Sequence, residues 1–366
     1  MEIIHLILGK ANPERLNGVN KVVYQLVSEQ SKANKQVSLW GISKDLTHNY
    51  PERSFETRLF PIHKNPFKID VTLEKAILEK KEAVFHLHGG WIPIYSSLAI
   101  LFAKYQIRFV LTPHGAYNTI AMKRSKWMKK LYFHLFEKKL LEKVYKIHSL
   151  GKTEMKGLDS IFPNSKSFLL PYGFDFVENK KSSQPYQSGF VIGFMGRLDV
   201  YTKGLDLLMN AFEVFQKTNR NSQLWIVGDG KGRSFLENQI KEKQLQNVIF
   251  WGKKFGKEKE ELLSKMHVFA HPSRNEGLPS SVLEVAALGI PSVVTHATNI
   301  AEYIQNYDAG IAIENNSEQE LVQAFETIKK MYDAQNVSHF GMNNIKMLKE
   351  VFAWDILVNE YDKLYS

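Results

Sequence analysis

The feature that most constrains this fold is an alternation of short apolar runs with longer amphipathic segments, which occurs in two series along the chain. Short apolar runs bounded by turn residues are typical of buried strands, and apolar residues at helical spacing are typical of amphipathic helices. Such an alternation predicts βα units around a parallel sheet. The first series predicts strands at 3–8, 36–40, 84–87 and 109–112 and helices at 20–30 and 96–105.

A second series follows a segment whose composition is typical of a linker. Residues 170–187 contain Pro171, Gly173, Pro185 and several Ser and Lys. Beyond them we predict strands at 190–195, 223–227, 248–251, 268–270 and 291–295 and helices at 205–217, 234–242, 257–265 and 281–288. Two doubly wound α/β domains facing each other across a cleft are therefore expected, with ligands at the carboxyl ends of the strands.

The charge balance favours anionic partners. The 366 residues include 48 Lys and Arg against 38 Asp and Glu, a formal net charge of +10. Such a surplus suits nucleic acid, phosphorylated metabolites or an acidic membrane surface. There is no cysteine, which excludes disulfides, thiolate metal sites and a cysteine nucleophile. The start of the chain predicts a strand and not a signal peptide, and the longest apolar stretch, 91–103, is shorter than the roughly 20 residues of a spanning helix.

Two cations follow the predicted strand at 190–195. Gly196 allows a ligand to approach the backbone, Arg197 can make a fork of bonds to phosphate oxygens, and Lys203 adds a compact charge. Two cations at the end of a strand suit a diphosphate. An ordinary solvated turn explains this pair equally well.

Two glutamates flank the predicted start of the helix at 281–288. Pro279 with Ser280 or Ser281 as the cap would begin that helix, and its free N–H groups would form an anion site. Glu276 precedes the helix and Glu284 lies inside it, so either carboxylate could hold the vicinal hydroxyls of a ribose or a sugar. Taken alone, each glutamate is more simply a solvated surface charge.

Residues at the ends of three strands in the first half are further candidates. His88 with Gly89, and His114, come at the ends of their strands, where either imidazole could donate to a sugar hydroxyl or a phosphate oxygen. Asn17 and Gly18 lie in the loop after the first strand, which could present backbone N–H groups to a ligand. A structural histidine and a plain βα loop are the alternatives.

Several cofactor motifs are absent from the sequence. The run 228–232 almost matches a dinucleotide fingerprint, but Arg233 stands where the third glycine belongs. There is no His-Glu-x-x-His, Asp-x-Asp or phosphate-loop motif. We therefore expect no cofactor and no metal, with Arg197 and Lys203 neutralising the diphosphate.

The segment 123–146 carries nine Lys or Arg against two Glu, which is +7 of the net charge. Trp127, Leu131 and Leu135 interleave with the cations, a pattern typical of a helix that lies on an anionic membrane surface. The alternative is a helix that packs on its own domain and leaves its lysines in water. Nucleic acid is disfavoured, because no recognition motif accompanies the charge.

Taken together and in order, these segments resemble the family 4 glycosyltransferases, which are retaining enzymes of the GT-B fold. The resemblance covers nearly the whole chain and is most specific in GRLDVYTKG, LWIVGDG and HPSRNEGLPSSVLEVAALGIP. The spacing of Glu276 and Glu284 is similar to the E-x7-E motif of the family, and Arg197 with Lys203 is similar to its diphosphate-binding pair. In the first half, HLHGGW and TPHGAY are similar to segments of transferases of cell-surface polysaccharide assembly.

The resemblance implies a role for each candidate. Arg197 and Lys203 would hold the donor diphosphate, Glu284 the ribose, and Glu276 the donor sugar. Catalysis would rest on these two cations, Glu276 and His114. Further donor contacts would come from Gly18, Gly196, Gly277, Leu278, Pro279 and Ser280. His88, Gly89 and Asn17 would contribute to the acceptor side.

The resemblance also implies a domain plan. Residues 1–170 with 351–366 would form an acceptor-binding domain, and 175–350 a donor-binding domain, with the last helix crossing back to the first domain. Two departures, Tyr172 before Gly173 and Leu278-Pro279 after Gly277, leave the sugar specificity open.

The sequence therefore predicts a cytoplasmic, metal-independent, retaining hexosyltransferase, peripheral on the membrane. It would use a nucleotide diphosphate sugar, a UDP-sugar ahead of a GDP-sugar, and a glycan or lipid-linked acceptor in surface polysaccharide biosynthesis. The rival functions are a sugar-nucleotide epimerase of the same fold, a non-catalytic nucleotide-sugar-binding subunit and a nucleic-acid binder. The base, the sugar, the acceptor and the oligomeric state are not predicted.

Overall fold

The computed structural model describes residues 1–13, 18–123, 125–176, 186 and 188–366. The strands are β1 (Glu2–Leu8), β2 (Gln36–Ser43), β3 (Glu56–Pro61), β4 (Val84–His88), β5 (Phe109–Thr112), β6 (Lys146–Ser149), β7 (Ser167–Leu169), β8 (Val191–Met195), β9 (Gln223–Val227), β10 (Val248–Gly252), β11 (Val268–His271), β12 (Ser292–Thr295) and β13 (Gly310–Ile313). The α-helices are α1 (Gly18–Lys32), α2 (Val71–Glu79), α3 (Pro93–Lys104), α4 (Thr119–Lys123), α5 (Lys126–Tyr132), α6 (Lys138–Lys143), α7 (Lys152–Asp159), α8 (Val200–Lys203), α9 (Leu205–Thr218), α10 (Arg233–Glu242), α11 (Gly256–Leu263), α12 (Ser280–Ala286), α13 (Ala301–Asn306), α14 (Glu318–Asp333), α15 (Ser338–Met347) and α16 (Trp354–Tyr365). Short π-helical turns occupy Phe133–Glu137 and Leu348–Phe352.

The chain divides into two compact units. Unit 1 comprises Met1–Gly173 and Trp354–Ser366, and unit 2 comprises Phe174–Ala353. The last helix, α16, is therefore part of unit 1, with Trp354 and Tyr365 buried. A Cβ atom on Gly173 would lie 2.3 Å from the Trp354 ring, so only a glycine admits this indole.

Unit 1 is a parallel seven-stranded sheet with the order β3-β2-β1-β4-β5-β6-β7. Its strands are buried on both faces where helices cover them, and large side chains such as Trp40, Phe85 and Phe102 fill the core. The order reverses between β1 and β4, because the chain returns from β3 to the other side of β1.

Unit 2 repeats this plan with six parallel strands in the order β10-β9-β8-β11-β12-β13. Its main core cluster contains the buried side chains of Phe194, Phe212, Phe215 and Val268. Here the order reverses between β8 and β11. Both units are thus doubly wound parallel sheets, which confirms the predicted α/β class.

The sequence does not predict four of the observed strands, β3, β6, β7 and β13. β6 lies between β5 and β7, and the other three lie at sheet edges. β3, β7 and β13 each pair on one side only, and most of their side chains are partly exposed. An edge strand needs no continuous apolar run, because solvent reaches one side of it, and its sequence pattern is correspondingly weak. The predicted strands and helices all overlap observed elements of the same type.

Candidate active site

The topology of unit 2 locates its ligand site. In open parallel sheets, ligands bind beyond the carboxyl ends of the two strands at which the strand order reverses. In unit 2 these strands are β8 and β11. Gly196 directly follows β8, and His271 is the last residue of β11. The predicted donor residues Gly196, Lys203 and Glu276 lie in the segments that follow these two strands.

Lys203 and Glu276 form an ion pair at this point. Lys203 ends the short helix α8 after β8, and Glu276 lies in the loop after β11. The Lys203 ammonium donates to Glu276 Oε1, and the two side chains are only 16% and 17% exposed. His271 Nε2 lies 3.1 Å from the same oxygen, and the Ser273 hydroxyl donates to it at 3.3 Å.

These donors keep Glu276 ionised. Burial on its own raises the pKa of the Glu276 carboxyl, but the Lys203 ammonium and His271 outweigh it and bring the pKa to about 2. Burial lowers the pKa of His271 more than Glu276 raises it. The pair at neutral pH is therefore a carboxylate with an ammonium, beside a neutral imidazole that donates from Nε2.

Arg274, which the sequence analysis did not select, fastens this loop. Its guanidinium makes two bonds to the Asp206 carboxylate at 2.7 and 2.8 Å and one to the Tyr201 carbonyl at 2.8 Å. Its backbone N–H donates to the Thr202 carbonyl at 2.9 Å. Because Tyr201 and Thr202 belong to α8, Arg274 ties the Glu276 loop to the helix that carries Lys203.

Two glycines of unit 2 lie so close to the backbone of a neighbouring loop that no side chain would fit there. A Cβ atom on Gly204, whose φ is +64°, would lie 2.0 Å from the Pro272 carbonyl oxygen. A Cβ atom on Gly228, whose φ is +133°, would lie 1.9 Å from the Gly196 carbonyl oxygen. Glycine is therefore required at both positions, by conformation and by space.

Arg197 and Glu284 are not part of this ion pair. Arg197 is 66% exposed, with Nη2 at 3.7 Å from Asp199 Oδ2. Glu284 lies in α12 and pairs with Lys259 Nζ at 2.6 Å. An exposed guanidinium beside the end of β8 has donors available for a ligand.

The start of α12 corrects one expectation. Pro279 occupies the cap position and no side chain caps the helix, so the prediction that Ser280 or Ser281 caps it is wrong. Proline fits here because its ring fixes φ near the observed −77° and the extended cap position does not need its N–H for the helix. Leu278 and Pro279 are buried, whereas Gly277 and Ser280 are partly exposed. The Glu276 carbonyl accepts from the Asn299 amide at 3.2 Å, a contact with no signal in the sequence.

Unit 1 places His88 and His114 in direct contact. His88 Nδ1 and His114 Nε2 are 3.0 Å apart, at the ends of the neighbouring strands β4 and β5. His88 is 2% exposed, whereas His114 is partly exposed and has a left-handed φ of 54°. Gly89, with a φ of 114°, follows β4.

The loop between β1 and α1 is described in part. Gly18 is exposed as the first residue of α1, and a Cβ atom there would meet nothing within 4 Å. Asn17 lies outside the residues that the structure describes.

One group of histidines has the spacing of a metal site. Ring nitrogens of His5, His86 and His88 lie within 4.8 Å of one another, and all three rings are buried. Hydrogen bonds to protein groups already occupy both nitrogens of each ring. The cluster is therefore accounted for without an ion.

The basic segment 123–146 is broken into α5, the π-turn and α6. Phe133, Leu140 and Leu141 are buried in unit 1, as the packing alternative requires. Trp127 is 81% exposed, and Met128, Leu131 and Leu135 are also exposed. No helix in the described ranges combines the length and the apolar content needed to cross a bilayer.

Comparison with known proteins finds two matching family models. Residues 175–346 match the family described as glycosyl transferases group 1, and residues 16–176 match glycosyltransferase family 4. The capsular polysaccharide biosynthesis glycosyltransferase CapM of Staphylococcus aureus is 25% identical over 200 residues, 52% of this chain. That match spans half the length of the relative, 50%.

Solved structures resemble the whole chain. The sucrose-phosphate synthase of Thermosynechococcus elongatus has a TM-score of 0.75 at 18% identity, covering 100% of this chain and 98% of its own. HepE of Anabaena, in complex with UDP, has a TM-score of 0.74 at 14% identity and covers 99% of both chains. At these identities the likeness concerns the fold, which is GT-B.

Glu276 makes the stability of the protein depend on pH. Its pKa falls from an ordinary 4.5 to about 2 on folding, so its contribution is complete above pH 4.5 and is lost as the pH falls towards 2. We expect the difference in Tm between the wild type and Glu276→Gln to shrink over this range, as followed by circular dichroism. A difference in Tm that does not change with pH would contradict the ionised state of Glu276.

Proposed function

Because the chain belongs to the family 4 glycosyltransferases, we propose that it moves a sugar from a nucleotide diphosphate sugar to a glycan or lipid-linked acceptor, with retention of anomeric configuration. The observation that carries this proposal is the partly buried Lys203–Glu276 ion pair at the reversal point of the unit 2 sheet. Surface polysaccharide biosynthesis is the proposed setting, which the named activity of the CapM relative supports.

Unit 2 is the proposed donor-binding unit. Lys203 and the exposed Arg197 neutralise the diphosphate and stabilise the charge that it gains as it leaves. Glu276 accepts hydrogen bonds from the sugar and stabilises positive charge at the anomeric carbon, which requires the ionised carboxyl described above. Glu284 binds the ribose, and the backbone of Gly196 and of 277–280 supplies further contacts.

A UDP-sugar is the preferred donor, with a GDP-sugar as the alternative base. The complex of HepE with UDP supports this choice. Since two protein cations face the diphosphate, the proposed reaction is independent of a metal ion. In unit 1, His114 serves the donor sugar and the acceptor, Gly18 contributes to the donor side, and His88, Gly89 and Asn17 contribute to the acceptor side.

Isosteric substitutions of the ion pair test the proposal. We expect Lys203→Met and Glu276→Gln each to reduce kcat by about 100- to 1,000-fold, because each removes a charge that acts on the transition state. Transfer is measured as acceptor glycosylation, with the anomeric coupling constant of the product reporting its configuration. Lys243→Met is the matched control, since Lys243 makes a similar ion pair with Glu213 on other helices of unit 2.

Other results would point elsewhere. Transfer undiminished in both variants would refute the assignment of the pair. Conversion of the donor sugar without an acceptor would favour the epimerase, and donor binding without turnover would favour the non-catalytic subunit. An inverted product would contradict retention.

We also propose that segment 123–146 holds the enzyme on an anionic membrane surface. Exposed lysines, Lys126, Lys130, Lys138, Lys139 and Lys143, accompany the exposed apolar side chains of α5 and the π-turn. Cations near an anionic surface gain about 1 kcal/mol each, and apolar side chains gain by insertion at the interface. This arrangement suits a lipid-linked acceptor on the cytoplasmic leaflet.

Vesicle co-sedimentation tests the membrane proposal. We expect binding to vesicles that contain phosphatidylglycerol and little binding to phosphatidylcholine alone. The triple variant of Lys130, Lys138 and Lys139 to Gln should bind about tenfold less tightly or worse, because three cations are lost. Trp127→Ser should weaken binding to the same vesicles, but the salt dependence of binding should not change, because no charge is lost.

The matched control removes three exposed lysines of unit 2, Lys217, Lys241 and Lys257, by the same substitution to Gln. Equal losses in the two triple variants would mean that only net charge matters. Vesicle binding indifferent to the lysines of the segment would refute the proposal.

A further inference from the structure

A continuous chain of hydrogen bonds runs through the interior of unit 1 and ends at His114. We call it the histidine chain. Its eight donor–acceptor distances lie between 2.6 and 3.2 Å. Its members in order are the Leu170 carbonyl, His148, Thr112, His86, Tyr365, Gln30, His5, His88 and His114.

The Leu170 end fixes the direction of the chain. A backbone carbonyl can only accept, so His148 carries its proton on Nε2 and has a lone pair on Nδ1. The Thr112 hydroxyl donates its one proton to His148 Nδ1 and therefore accepts from His86 Nε2. The lone pair left on His86 Nδ1 accepts from the Tyr365 hydroxyl.

The same rule carries this direction to His114. The proton of the Tyr365 hydroxyl is already donated, so its oxygen accepts from the Gln30 amide nitrogen. The Gln30 amide oxygen accordingly faces His5 and accepts from its Nε2. His5 Nδ1 then accepts from His88 Nε2, and His88 Nδ1 accepts from His114 Nε2. Each ring thus has its proton on Nε2.

The argument requires neutral rings, and burial supplies them. Burial lowers the pKa of His5 and His148 to about 4, although the Gln30 and Leu170 bonds partly oppose it. Burial also lowers the pKa of His114 to about 3. The pKa values of His86 and His88 lie well below their ordinary range for the same reason.

The hydrogen bonds of the histidine chain do not use the Nδ1 lone pair of His114. Hydrogen bonds between described residues involve only its Nε2, and the residue is partly exposed. The left-handed backbone of His114 is held in place, because the next N–H, of Gly115, donates to the buried Glu154 carboxyl at 2.5 Å. A strained residue whose side chain and backbone are both held is typical of a functional position.

We propose that the histidine chain presents His114 Nδ1 as a hydrogen-bond acceptor for a hydroxyl group of the sugar substrate, an inference that rests on the proposed function. A phosphate oxygen without a proton is not a partner for this atom. His5, Gln30, Thr112 and His88 are positioning residues that act through His114. The positions of His88 and His114 at strand ends predict that either imidazole donates to the ligand. In this arrangement His114 accepts, and His88 serves through it.

Thr112 allows the chain to be cut without changing its shape. Thr112→Val removes the hydroxyl and leaves an isosteric side chain, and Thr112→Ser keeps the hydroxyl. The part from His86 to His114 could run in either direction once the Leu170 carbonyl no longer directs it. We therefore expect Thr112→Val to give His114 a population with its proton on Nδ1.

Two-bond ¹H–¹⁵N spectra of the full chain labelled with ¹⁵N-histidine measure each tautomer, and no sugar is needed. The five rings are assigned by single substitutions. In the wild type and in Thr112→Ser we expect all five protons on Nε2. In Thr112→Val we expect His148 to keep this state and the rings from His86 onward to gain a population with the proton on Nδ1. A wild-type ring protonated on Nδ1, or a His114 signal unchanged in Thr112→Val, would overturn the chain.

Kinetics then test the contact with the hydroxyl. For transfer from a UDP-sugar, we expect kcat/KM to fall about three- to tenfold in Thr112→Val, because an acceptor is replaced by a donor in part of the population. Thr112→Ser should restore the wild-type value within about twofold. Shifted tautomers with equal kcat/KM in both variants would refute the sugar contact. A wild type with the expected tautomers and no transfer would refute the proposed function and leave the chain standing.

Discussion

A buried carboxylate is stable only where hydrogen-bond donors replace the water that it has lost, and in unit 2 this requirement governs the loops after β8 and β11. Glu276 obtains its donors from Lys203, His271 and Ser273. These side chains come from both loops, so the loops must stay close. The bond of Arg274 to Asp206 and the close contact of Gly204 with Pro272 hold them there.

In unit 1 the buried polar side chains of the histidine chain are uncharged. Its interior holds five histidine rings, and each is kept neutral by burial and joined to the next polar group by hydrogen bonds. The two units thereby offer different chemistry. Unit 2 presents cations and a carboxylate, which suit a diphosphate and a developing positive charge. Unit 1 presents a neutral imidazole, which suits a hydroxyl.

The sequence predicted most of the fold, because buried strands produce short apolar runs and amphipathic helices produce apolar residues at helical spacing. Edge strands such as β3 were not predicted, because their partial solvent exposure removes the continuous apolar run by which a buried strand is recognised. The sequence also predicted two charged residues of the site. Lys203 and Glu276 are 73 residues apart in the chain, and in the structure they form an ion pair. Arg274 stands two residues from Glu276, and its role could have been suspected from a second charge in that segment.

Other parts of the site have no sequence signal. The histidine chain joins Gln30 to Tyr365, which are 335 residues apart. Nothing local distinguishes such residues from ordinary core polar groups. The pairing of Glu284 with Lys259 likewise depends on how α11 and α12 lie against each other in unit 2. Only the folded chain reveals which polar groups share their protons.

The central claim is that unit 2 binds a nucleotide diphosphate through protein cations. Thermal unfolding in the presence of UDP, GDP, ADP or CMP, with EDTA throughout, tests it most directly, because a ligand that binds only the native state raises Tm. The account predicts a rise with UDP that is lost in Lys203→Met and retained in Lys243→Met. No rise with any of the nucleotides, or a rise that survives in Lys203→Met, would contradict it.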